Sequence, residues 1–290
     1  MKKVSLAFAL LLSLTAIAQK IDIKKNKISI DGNPVAILNK EKKVYNILSL
    51  DNKPIFSIER KLTAILDGSS IKWMVLTDLN TNKTNEIIDY GKLHGFSFEN
   101  SIIASVCNDT YKFISTAGID EKGVSEFING TPTDIEKIIA ESNLKTKKQL
   151  DVENDAMVKA KISVKNGSIF QLQNVDGKET NVTIGYITKK NQPPMAGFAP
   201  ELSYEVSSRV AQIAVWYKTK NGYTNPNTGR NIENEIVTSD QKYFNVRGAL
   251  SGMEKVSDAG LEKGEKEFYA SEDSLPSRIV AKLLYNGYTF

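Results

Sequence analysis

Turn signals recur along this chain at intervals too short for long helices, and that spacing constrains the fold more than any other feature. Residues 28–37 read ISIDGNPVAI and residues 48–57 read LSLDNKPIFS. In both, alternating apolar positions run into an Asp-led turn, and a proline opens the next run where its missing N–H does least harm. A third relative, NVDGKETNVTI at 174–184, keeps the Asp-Gly and lacks the proline. The residues that recur are those a turn needs, and those that differ are the ones a ligand would read. The motif is therefore expected to be a corner built twice and not a binding site. Two copies fall short of the roughly three stacked units that a repeat architecture needs.

From Lys20 to Tyr90 the runs IDIKKNKISI, NPVAIL, VYNILSL, KPIFSIE, LTAIL, IKWMVLTDL and NEIIDY predict an antiparallel meander, since Pro34 and Pro54 would interrupt any helix. Residues 97–148 change texture. In TPTDIEKIIAESNLKTKK, Thr131 or Thr133 suits a cap, Pro132 suits a first turn, and Ile135, Ile138 and Ile139 share a face. A helix is expected over about 133–144. After Leu150 the β texture returns in MVKAKISVKNGSIFQLQNV, with Asn166-Gly167 and Asp176-Gly177 as two-residue hairpin signals. Residues 191–200 read as a crossing loop, and LSYEV and RVAQIAVWYKT as two further strands. SRIVAKLLYNGYTF reads either as a closing helix with Gly287 at its C-cap or as a last strand. The expected class is α+β, with β-rich antiparallel meanders at both ends and a helical middle segment at about 97–148. The expected segments are a signal peptide at 1–18, then 19–149 and 150–290, the last two able to form a single domain.

The first eighteen residues, MKKVSLAFALLLSLTAIA, have the charged, apolar and small-residue layout of a secretory signal, with Gln19 as the expected mature N-terminus. The apolar run is shorter than the roughly 20 residues a bilayer span needs, so no membrane-spanning segment is expected after cleavage. Cleavage takes two lysines from the 38 basic residues and leaves them nearly balanced by 34 acidic ones. Only five of the basic residues are arginine, the planar donor that nucleic-acid readers lean on, so nucleic acid is not an expected partner. The richness in Lys, Asn and Ile is what an AT-rich bacterial genome imposes. An exported chain with one cysteine cannot close an internal disulfide, so its stability must come from burial.

A single histidine, His94, and a single cysteine, Cys107, leave few catalytic options. His94 lies between glycines and reads as a loop residue, and Cys107 in ASVCNDTY reads as a small buried hydrophobe. Ser69 and Lys72 form an S-x-x-K pair, but a turn and strand there would put the two side chains on opposite faces. DLNTNKTNEIID places Asp78, Asn80, Asn82 and Asp89 in the rhythm of a calcium loop, with Lys83 where a glycine belongs. Calcium is thus the one cofactor to consider, and no other is expected. Trp216 and Tyr217 alternate on an expected strand, which makes the exposed member a candidate ligand platform. The expected function is that of an exported bacterial protein, periplasmic, at the cell surface or secreted. It would serve as a non-catalytic binding or structural component whose partner is an envelope protein or a glycan. The alternatives are an exported hydrolase of glycan or peptide that uses paired carboxylates, and a calcium-stabilised adhesive module.

Overall fold

A computed structural model describes residues 20–88, 97–190, 200–219, 223–224, 231–232, 235–246 and 256–290. The expected signal peptide, His94, Asp89 and nearly all of the expected crossing loop at 191–200 lie outside these residues. The chain is α+β, with two large antiparallel sheets and a helical middle. It forms two compact units, one of residues up to Leu62 with Lys72–Ile135, the other of Thr63–Ile71 with Glu136–Phe290.

The first unit is built on seven strands laid side by side in chain order: β1 (Ile21–Lys24), β2 (Lys27–Ile30), β3 (Asn33–Glu41), β4 (Val44–Leu48), β5 (Pro54–Ala64), β6 (Ser70–Asp78) and β7 (Thr84–Ile88). The tip of the β5–β6 hairpin, Thr63–Ile71, belongs to the second unit. One face of the sheet carries Ile28, Ala36, Leu38, Ile47, Phe56, Ile58, Met74 and Ile87. Helices α1 (Phe98–Ser105) and α2 (Glu121–Ile128) cover that face with Ile102, Ile103, Val124 and Ile128. Cys107 lies in this core, where burial pushes its thiol up to about 12, as befits a small hydrophobe.

The turn chemistry explains the meander. Lys25-Asn26 and Asp31-Gly32 each have two successive positive φ values between directly paired strand ends, the geometry whose twist matches that of the flanking strands. The second copy of the opening motif is built differently. Ser49 N–H donates to the Lys53 carbonyl at 2.9 Å and Asn52 N–H to the Ser49 carbonyl at 3.0 Å, and only Asn52 takes a positive φ, of 64°. Both copies are corners, one a two-residue turn and the other a longer loop.

Strand β7 closes the first sheet, and one buried side chain ties it to the chain beyond α2. Asn85 Nδ2 donates to the carbonyls of Phe127 and Thr131 at 2.8 and 3.2 Å, while its Oδ1 accepts from Thr133 N–H at 3.0 Å and Glu86 N–H at 2.8 Å. Thr133, expected as a helix cap, instead donates its hydroxyl to the Glu86 carbonyl at 2.7 Å.

The helix that follows, α3 (Ile135–Lys159), overruns the expected end near 144 and takes in residues that read as the start of a strand. Its buried positions are Ile135, Ile139, Asn143, Thr146, Leu150, Glu153 and Met157, spaced by three or four along one face. Asn143, Thr146 and Glu153 are polar, so a count of apolar residues misses the stripe. The alternation seen from Met157 onward belongs to the helix's last turn and to the strand that follows at Ile162–Lys165.

The second unit repeats the meander with β10 (Ile162–Lys165), β11 (Ser168–Val175), β12 (Lys178–Lys190), β13 (Pro200–Ser208), β14 (Gln212–Thr219), β17 (Glu235–Thr238) and β18 (Tyr243–Asn245) in that spatial order. The strand pairs β8–β9 (Ile114–Ser115, Gly118–Ile119) and β15–β16 (Tyr223–Thr224, Asn231–Ile232) form two-stranded ladders of their own, not hydrogen-bonded into either large sheet. Asn166-Gly167 and Asp176-Gly177 turn the first two hairpins with paired positive φ values. Helix α4 (Glu265–Ala270) precedes α5 (Leu275–Tyr285), which realises the helical reading of the tail. Ile279, Val280 and Leu283 of α5 join Ile169, Val206, Trp216 and Ile236 of the sheet in one core. Gly287 follows α5 with a φ of 85°. Among the described residues no helix is long and apolar enough to cross a membrane.

Gly185 sits beside a bulge between β11 and β12, where a Cβ would lie 2.4 Å from the Ser207 carbonyl oxygen. Because that obstacle is backbone, Gly185→Ala is expected to cost roughly 1–3 kcal/mol. A urea melt with an unchanged midpoint would contradict this close approach.

Candidate functional site

Residues flagged by the sequence do not converge. Trp216 is fully buried against Tyr204, its indole N–H without an acceptor among the described residues. Tyr217 is half-buried on the opposite face of β14, and burial there raises its phenol. Asp78, Asn80 and Asn82 do share the β6–β7 loop. There the Asp78 carboxylate accepts the backbone N–H groups of Asn80 and Thr81 at 2.7 and 3.1 Å, a turn-forming role. Ser69 lies in the turn before β6 and Lys72 on that strand, not one helical turn apart.

A cavity of about 320 Å³ lies instead in the second unit, among α3, α4 and the start of α5. Leu150, Phe268, Tyr269 and Ala281 supply its apolar wall, and Glu153, Asn154, Asp273, Ser277 and Arg278 are its main polar groups. The helical stripe explains how α3 contributes: Leu150 and Glu153 are neighbours on its buried face, with Asn154 at the edge.

Two clusters hold the cavity's helices together. Glu153 and Lys282 form an ion pair with side chains only 5% and 11% exposed, and Gln149 Nε2 donates to the same Glu153 oxygen at 2.8 Å. Beside Tyr269, Lys147 binds Asp151 at 2.7 Å and Glu265 at 3.2 Å, and the Tyr269 hydroxyl donates to Asp151. Hydrogen bonds to Asp151 and Glu265 hold the Lys147 ammonium above the usual lysine range. Burial opposes ionisation of Asp151, but hydrogen bonds from Lys147 and Tyr269 outweigh it and leave the carboxyl below its usual value.

A carboxyl depressed in the folded state adds stability that is complete above its unfolded value and is lost as pH falls. Asp151→Asn is therefore expected to lower the Tm at about pH 7, and the gap from the unsubstituted protein should narrow as pH falls below the ordinary carboxylate range. A gap that persists unchanged into acid would show that the brace does not depend on the carboxylate's charge.

Arg278 is buried, at 7% exposure. Its Nε donates to Ser274 Oγ at 3.1 Å and its Nη2 to the Ser271 carbonyl at 2.9 Å, and burial pulls the guanidinium down to about 10. Ser277 and Asn154 line the same space without a side-chain hydrogen bond to any described residue, and Asp273 is exposed, close enough to act on the Lys189 ammonium but in no ion pair within contact distance among the described residues. The cavity thus has an apolar wall, a buried cation and several polar groups left to solvent or a guest.

The sequence did hold a signal for this site. In LPSRIVAKLL, Arg278 and Lys282 stand four apart between Leu275, Ile279 and Leu283, so two cations face inward on an otherwise apolar helix. No family model matches the chain, nor does any curated protein or solved structure.

Proposed function

We propose that the chain is an exported bacterial protein that serves as a non-catalytic binding component of the cell envelope or secreted milieu. Its ligand would be a small molecule held in the cavity of the second unit. The observation that carries this reading is the division of labour among the lining groups. Glu153 is already committed to Lys282 and Gln149, whereas Asn154 and Ser277 make no side-chain hydrogen bond among the described residues and Asp273 stands exposed at the rim. A hydrolase would need two free carboxylates at the scissile bond, one giving and one taking a proton. Committing Glu153 to an ion pair removes one of the two that line the cavity. Export rests on the signal-like residues 1–18.

The test is to express the full chain in a bacterial host, recover the exported protein under native conditions and weigh it by native mass spectrometry. One equivalent of a small molecule is expected, absent from Asn154→Phe, whose ring would occupy the cavity, and unaltered after prolonged incubation with the protein. Retention of the chain in the cytoplasm, a ligand that Asn154→Phe still carries, or conversion of the ligand into product would each overturn this reading.

A further inference from the structure

We infer that the cavity takes a small uncharged amphiphile, an apolar body carrying a neutral amide or hydroxyl group that Asn154 and Ser277 meet. This rests on the reading of the cavity as a binding site and specifies its ligand.

Charge comes first, because every ionic group of the lining is already engaged. The Glu153 carboxylate is held by Lys282 and Gln149. Arg278 directs Nε to Ser274 Oγ and Nη2 to the Ser271 carbonyl, and it has a further interaction besides. The two serines are closed on each other, since Ser274 Oγ donates to the Ser271 carbonyl and Ser274 N–H to Ser271 Oγ. Asp273 is exposed at the rim, where it acts on the Lys189 ammonium. An ionic guest would give up its hydration without gaining an opposite charge of its own, a far larger cost than desolvating a neutral group. The guest is therefore uncharged.

The groups that remain open are neutral. Asn154 offers amide donors and a carbonyl, Ser277 a hydroxyl that both donates and accepts, and neither side chain has a hydrogen bond to any described residue. Together they can satisfy an amide or hydroxyl whichever way it points, and they cannot neutralise an ion. The rest of the wall is apolar, and even the Tyr269 hydroxyl is turned to Asp151. Phe268 is 48% exposed, with its ring edge-on to that of Tyr269 at 4.8 Å between centroids. Covering such a ring is favourable only for a guest that is apolar where it touches. At about 320 Å³, and about 30 Å³ per water displaced, the cavity holds on the order of ten non-hydrogen atoms. A substituted benzene fits, and a disaccharide or a lipid chain does not.

The test is calorimetric titration of the exported protein, stripped of small molecules, with phenylacetamide, phenylacetate, phenethylammonium and propylbenzene, which share a shape and differ in charge and polarity. Phenylacetamide is expected to bind at least about tenfold more tightly than either ion. Asn154→Ala and Ser277→Ala replace half-buried side chains with the best helix former and should leave the fold intact. Combined, they are expected to weaken phenylacetamide by roughly three- to tenfold or more, as the loss of one or two hydrogen bonds requires, and not to weaken propylbenzene. A merely structural role for the two side chains would weaken both probes alike. Phenylacetate or phenethylammonium binding as tightly as phenylacetamide would overturn the uncharged guest. A double variant that holds phenylacetamide unweakened, or that loses both probes alike, would overturn the part given to Asn154 and Ser277. Failure of every probe to bind, in a protein that carries some other small molecule from its host, would overturn the ligand class while sparing the binding reading. Failure to bind together with an empty protein from the host would overturn both.

Discussion

Lys282→Met is expected to be the most damaging single substitution in the second unit, lowering its stability by roughly 3–5 kcal/mol. The reason is what it leaves behind. Glu153 is 5% exposed at its side chain, and Gln149 alone cannot offset a carboxylate held out of water. The prediction is specific because its partner has the opposite sign. Replacing both members, as Glu153→Leu with Lys282→Met, removes two desolvated charges together, and the double variant is expected to recover most of the loss. Urea melts of the two single variants and the double variant measure this directly, with the second unit's own transition followed so that the two units are not averaged. A double variant as unstable as Lys282→Met would mean that the pair stabilises through its geometry and not through mutual neutralisation.

Asn143→Leu follows at roughly 3–5 kcal/mol, taking about 1–3 kcal/mol for each buried group left without a partner. Asn143 is fully buried in the middle of α3. Its Nδ2 donates to the carbonyls of Ser257 and Ala259 at 3.0 and 2.9 Å, and its Oδ1 accepts the Leu66 N–H at 2.9 Å. One amide therefore fixes three separate stretches of chain. Leucine fills the same volume and makes none of these bonds. Hydrogen exchange gives the finer readout. The Leu66 amide should lose its protection in Asn143→Leu, while amides of β11 and β12, away from the clamp, keep theirs. Protection of Leu66 unchanged in a folded variant would contradict the clamp.

Asn143 lies on the stripe that the sequence concealed and Lys282 is the partner of another of its members, Glu153, and this explains what was legible and what was not. The meanders could be read because turn chemistry is local. Asp31-Gly32, Asn166-Gly167 and Asp176-Gly177 each demand two left-handed residues in a row, and few residue pairs allow that. The opening motif was legible as a corner for the same reason. The difference between its two copies was not, because swapping Asp-Gly for Asp-Asn in the turn lengthens the loop without disturbing the alternation around it.

Helix α3 was legible only as far as its buried face stayed apolar. Ile135 and Ile139 announce it, and Asn143, Thr146 and Glu153 then carry the same face onward with polar side chains; Thr146 bonds back to the Ser142 carbonyl one turn away, while Asn143 and Glu153 find partners far along the chain. Those partners are contributed by Leu66, Ser257, Ala259 and Lys282, and no local pattern foretells them. The candidate site was hidden in the same way. Trp216 drew attention as a large aromatic and proved to be core. Arg278 draws attention only once α5 is known to be helical and buried nearly all round, since an arginine in a strand-like tail would simply face solvent.

Amide hydrogen exchange, compared between the exported protein as recovered and the same protein after its small molecules have been stripped by unfolding and refolding, tests the central claim most directly. A guest in the cavity is expected to slow exchange at Leu150–Asn154 and along Phe268–Ala281, with the seven-stranded sheet of the first unit unchanged. Slowed exchange confined to the first unit, or identical exchange in the two preparations, would contradict a binding site among α3, α4 and α5.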